Sequence, residues 1–127
     1  MTSTPTFTLS QGPVDETGRL LHEGDLAAQL ALAVTNLEAA LAHHALDWSH
    51  VVALRIRTID PLGLAQVVDT LDERLVEAGV TPSVSVVPEP TLALPGMAVA
   101  LDGVVSPGLT DDPRPDSRSS GRGSRGA

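Results

Sequence analysis

At 127 residues the chain fits one domain with one core and leaves no room for a second. Without cysteine it has no disulfide, thiolate metal site or cysteine nucleophile. Eight arginines, no lysine and sixteen acids give a net charge of −8; the four arginines and three acids of residues 111–127 leave residues 1–110 with four against thirteen, a net of −9, which excludes the clustered basic surface that tracks phosphates.

The run Met1-Thr-Ser-Thr-Pro-Thr-Phe7 has no positive segment followed by an apolar one. No apolar stretch reaches the roughly 18 residues of a membrane span. A cytoplasmic protein with neither a nucleic-acid nor a membrane partner is therefore expected. A short strand is expected within Thr6–Gln11, ahead of the Pro13–Gly18 turn region. From Asp25 to His44, Leu26, Leu30, Ala33, Val34, Leu37, Ala40 and Leu41 recur at three- and four-residue spacing, with Gln29, Asn36, Glu38 and His43 mostly elsewhere on the wheel. This predicts an amphipathic helix with Asp25 as its N-cap, fraying near the Leu46-Asp-Trp-Ser49 turn. Adjacent helical residues point about 100 degrees apart. His43 and His44 therefore cannot both face one ion, and no metal site is expected.

Val51–Ile59 alternates, with Val52, Leu54, Ile56 and Thr58 assigned to one face and Ala53, Arg55, Arg57 and Ile59 to the other, the pattern of a half-buried strand. Arg55 and Arg57, on one face, can take a ligand carboxylate bidentately or pair with the chain's own acids. Asp60-Pro61 then starts a second helix through Leu64, Val67, Val68, Leu71 and Leu75 to Ala78-Gly79. Val84–Val87 and Met97–Val105 read as strands on either side of a proline-rich link. The order implies an α+β two-layer sandwich, two helices covering one face of a small mixed sheet. Ala53, Ile59, Ala98 and Val104 make the second face partly apolar, so self-association is expected to cover it. Residues 1–110 form the expected domain. Asp111–Ala127, built of proline, glycine, serine, arginine and aspartate with one closing alanine, is expected to be a disordered tail. No phosphate-binding glycine loop and no nucleophile elbow is present.

Five segments, Phe7-Thr-Leu-Ser-Gln-Gly-Pro-Val-Asp-Glu-Thr-Gly18, Gly24-Asp-Leu-Ala-Ala-Gln29, Asn36-Leu-Glu-Ala-Ala-Leu41, Leu46-Asp-Trp-Ser-His-Val-Val52 and Pro95-Gly-Met-Ala-Val-Ala-Leu-Asp-Gly-Val-Val105, resemble the RidA (YjgF) family in register over residues 7–105. The resemblance implies a chorismate-mutase-like fold, a homotrimer with ligand clefts between subunits, and hydrolysis of reactive enamines and imines without metal or organic cofactor. It also implies a hairpin before the segment matching Phe7, for which six residues remain, so the sheet is shorter unless the chain starts further upstream. That chemistry uses an arginine to hold the substrate carboxylate and a glutamate to activate water. By the resemblance the arginine falls on Val84 in Pro82-Ser83-Val84-Ser85 and the glutamate on Ala100, with the second acid kept as Asp102. The family's glycine falls on Ser10 and its helix asparagine on Val68. Val84, Ala100, Gln11, Pro82 and Leu94 are expected to line the cleft, with Ser83, Ser85, Asp102 or Arg55 giving the remaining polar contacts. Two functions follow. One is a divergent binder of a small apolar molecule or a protein partner, without the deaminase chemistry. The other is a hydrolase resembling 2-iminobutanoate/2-iminopropanoate deaminase, releasing ammonia and a carbonyl product by a variant mechanism.

Overall fold

The computed structural model describes residues 5–108, so the 111–127 tail lies outside the described residues. Strand β1, Phe7–Gln11, leads through the turn region to helix α1, Leu26–His43. Asp25 caps α1, its carboxylate accepting from the Ala28 N–H at 3.0 Å. A single 3-10 turn at Trp48–His50 feeds strand β2, Val51–Thr58. Helices α2, Pro61–Val67, and α3, Asp69–Ala78, precede strands β3, Ser83–Pro88, and β4, Val99–Val105.

The sheet order is β1-β4-β2-β3, with β2 and β3 parallel and the other pairs antiparallel. All three helices supply the core on one face of this mixed sheet. Leu30, Ala33, Val34, Leu37 and Leu41 of α1 and Leu64, Leu71 and Leu75 of α2 and α3 bury with Leu54, Ile56, Val99, Leu101 and Val105. Each leucine, isoleucine and valine among them contributes about 1.5–3 kcal/mol. No helix among the described residues is long and apolar enough to cross a membrane.

Three expectations need correction. The second helix is two: at Val68 the backbone stays right-handed helical (φ −66°, ψ −14°), but Leu71 N–H bonds the Val68 carbonyl three residues back. α3 ends as its glycine demands, Gly79 at φ 72° and the Val80 N–H returning to Leu75 O. In β2 a bulge between Val51 and Ala53 resets the alternation, so Val51 enters the core and Val52 is exposed. Gln29, expected on the polar side of α1, is fully buried. Its Nε2 donates to the carbonyls of His22 and Gly96, and its Oε1 accepts from Ala98 N–H, clamping the link before β4 to the start of α1. Asn36 ties Gly12 and Val14 carbonyls to the same helix, and Glu38 accepts from Trp48 Nε1 and pairs with Arg74.

Candidate functional site

The sheet face away from the helices is where the charged chemistry collects, because register fixes which side chains share it. Ser10, Asp102, Arg55 and Ser85 are successive cross-strand partners and form one row across all four strands. The neighbouring row is Thr8, Val104, Ala53 and Ser83, and on the other side Ala100, Arg57 and Val87 follow. Period-two alternation keeps these rows on the outward face while Leu54, Ile56 and Leu101 turn inward.

Asp102 is the centre of the arrangement, its side chain only 6% exposed. Oδ1 accepts from Ser10 Oγ at 2.8 Å and Arg57 Nη2 at 3.3 Å. Oδ2 accepts from Arg57 Nε at 2.9 Å and Arg55 Nε at 3.1 Å. Four donors fill a carboxylate's acceptor capacity of about four lone pairs. Burial alone would raise the Asp102 pKa, but the Ser10 hydroxyl and the Arg57 and Arg55 guanidinium groups hold it below the ordinary carboxylate value. Arg57 is 27% exposed and uses two nitrogens, whereas Arg55 is 55% exposed and uses Nε alone. Pairing with the chain's own acid is thus realised for both arginines.

Beside this row lies a cavity of about 210 Å³ lined by Ala53, Leu54, Arg55, Ser83, Ser85, Asp102 and Val104. The other sequence-predicted residues are dispersed. Gln11 lines a separate cavity with Val14, Leu21 and Asn36 beneath α1. Pro82 lines one with Trp48, Val52 and Val80, and Leu94 one with Ile59, Pro90 and Met97. Val84, on the edge strand β3, pairs with Leu54 rather than with an outward residue and stands 46% exposed. Ala100 shares the outward face, opposite Arg57, and is buried. Among the described residues no three His, Asp or Glu side chains converge to hold a metal ion. Sequence reasoning missed Ser10 as a partner of Asp102. Its only signal was that Thr8 and Ser10 are the polar alternates of β1.

A family model described as endoribonuclease L-PSP matches residues 4–106. No curated protein sequence matches the chain. Solved structures share the fold. The YjgF gene product of E. coli has a TM-score of 0.69 at 22% identity, with 80% of each chain covered. The Rid-family protein YyfB of Yersinia pestis also has 0.69, at 24% identity over 82% of this chain and 80% of that one. E. coli TdcF with bound serine has 0.69 at 18% identity, again with 80% of each chain covered.

Proposed function

We propose a function from one premise: the chain belongs to the endoribonuclease L-PSP family, the family of the Rid and YjgF proteins. It binds a small molecule on its outward sheet face, in clefts completed by further copies of itself in a homotrimer, and does not hydrolyse imines or enamines. The state of Asp102 carries this reading. It is the one carboxylate on the outward rows of the four strands, its lone pairs are filled, and it is held ionised below the usual range. A general base must accept a proton from water near neutral pH, and such a group is poorly suited to do so. Ala100, opposite Arg57, offers a methyl group in its place. The cavity wall carries a guanidinium and two hydroxyls, which supports a small polar occupant over the apolar one expected from the sequence. That TdcF, a relative in fold, holds serine agrees with a small polar occupant.

The test is a coupled assay in which an amino-acid oxidase generates 2-imino acids and semicarbazide competes for them. The purified chain should leave semicarbazone formation unchanged relative to a protein-free control. A fall in semicarbazone that scales with protein concentration would mean that hydrolysis persists by a variant mechanism.

A further inference from the structure

We infer that Arg55 on β2 is the anchor of an anion site, holding a carboxylate-bearing small molecule in the cavity between β2 and β3. The inference rests on the binding role above and adds the charge of the occupant and the residue that grips it.

A count of donors and acceptors leads there. Two guanidinium groups and one carboxylate leave the cluster one positive charge in excess, in a chain whose net charge is −8. Asp102 has no acceptor capacity left, while Arg55 spends only Nε on it. The two terminal nitrogens of Arg55 have no hydrogen-bond or ion-pair partner among the described residues. Nε is tied to a buried carboxylate and the Nη1–Nη2 edge remains as a fork, the geometry that takes a carboxylate through two parallel bonds. The tether at Nε removes part of the ordering cost of binding. The same cavity presents Ser83 and Ser85, whose hydroxyls can donate to the same anion, and Ser85 lies directly across from Arg55. Ala53 and Val104 supply an apolar wall, so a short carbon chain fits behind the charged end. The chain thus places its cation on β2, while the β3 residues facing this cavity are neutral hydroxyls.

The test is an NMR titration of the full chain with propanoate, its neutral analogue propanamide, and inorganic phosphate, following the Arg55 Nε–H and the Ser83 and Ser85 amides. Propanoate should bind at least about tenfold more tightly than propanamide, the scale of one charge-assisted bond. Arg55→Gln should weaken propanoate by about tenfold or more with the oligomer unchanged by sedimentation. Ser85→Asp, which supplies Arg55 with a carboxylate of its own and leaves the arginine cluster in place, should abolish binding. Equal binding of acid and amide, preference for phosphate, or unchanged affinity in Arg55→Gln would overturn the proposal. So would dissociation of the oligomer in Arg55→Gln, because the anion on Arg55 would then come from a neighbouring copy. The imine assay reads turnover and this titration reads charge selectivity, so failure of one is distinguishable from failure of the other.

Discussion

Replacing Asp102 by asparagine keeps the shape of the side chain and removes its charge. One oxygen can still accept the Nε–H groups of Arg57 and Arg55, and the new amide can donate to Ser10 Oγ. What is lost is the charge assistance of the two Nε bonds, one from Arg57 and one from Arg55, and the whole of the 3.3 Å bond from Arg57 Nη2, which meets the amide NH2 where Oδ1 stood. Charge-assisted bonds are worth about 1.5–3 kcal/mol and neutral ones about 0.5–1.5 kcal/mol, so each Nε bond loses about 1 kcal/mol, and the long Nη2 bond, at the weak end of its range, about as much. Arg55 is more than half exposed and water replaces much of its loss, which leaves about 2–3 kcal/mol expected in total. Urea unfolding at pH 7 and one fixed protein concentration measures it, which keeps any contribution from self-association the same for both proteins. In double-mutant cycles Arg57→Gln should couple to Asp102→Asn more strongly than Arg55→Gln does. The pH dependence has a definite sign. A carboxylate held below its unfolded value stabilises fully above about pH 4. The wild-type advantage should therefore be constant from neutral pH down to that point and close as acid takes the pH through the depressed folded value. A difference under about 0.5 kcal/mol, or one that persists undiminished in strong acid, would refute the assignment of Asp102 as an ionised hub.

Gln29→Leu should cost about 3 kcal/mol, because two carbonyls and the Ala98 N–H lose their buried partner, and the Ala98 amide should lose its hydrogen-exchange protection. Gly63→Ala should fail to give the roughly 1 kcal/mol gain usual for glycine in a helix, because an added Cβ would displace the Asp60 carboxylate that caps Gly63 N–H; thermal unfolding beside Asp60→Ala decides this. Trp48→Phe should cost about 1–2 kcal/mol through the lost bond to Glu38 and the smaller ring, read by urea unfolding followed by circular dichroism.

Most elements were legible because their cues are local. Asp25 before an apolar stripe, Asp60-Pro61 and Ala78-Gly79 each mark a helix end by a backbone requirement, and the structure uses all three. Gln29 was not legible, because its burial depends on two carbonyls and an amide from segments as distant as residues 96 and 98. The bulge at Val51–Ala53 was hidden for a different reason: Val51 and Val52 are interchangeable by hydropathy, and only pairing with β4 selects between them. At the site, Arg55 and Arg57 were recognisable as face-sharing cations, but the hub that joins them could not be read along one strand. Ser10, Asp102, Arg55 and Ser85 lie on four strands, and their row exists only in the sheet order β1-β4-β2-β3.

Face assignment on β3 has the largest consequence for the site, since a one-residue shift sends every side chain to the other face. Matching by residue count puts the family's arginine position at Val84, whereas the register pairs Val84 with Leu54 and gives Ser83 and Ser85 to the charged face. A glutamate placed at each position tests this without any ligand. Ser85→Glu should meet Arg55 across the strand pair, and the cycle with Arg55→Gln should show a coupling of about 0.5–1 kcal/mol that fades in high salt. Val84→Glu should be destabilising through loss of apolar contact beside Leu54, yet its coupling to Arg55→Gln should be about zero, within roughly 0.3 kcal/mol. If Val84→Glu instead carries the larger coupling, β3 is turned over relative to β2. The hydroxyls then leave the Arg55 cavity, and the position matched to the family's arginine returns to the charged face.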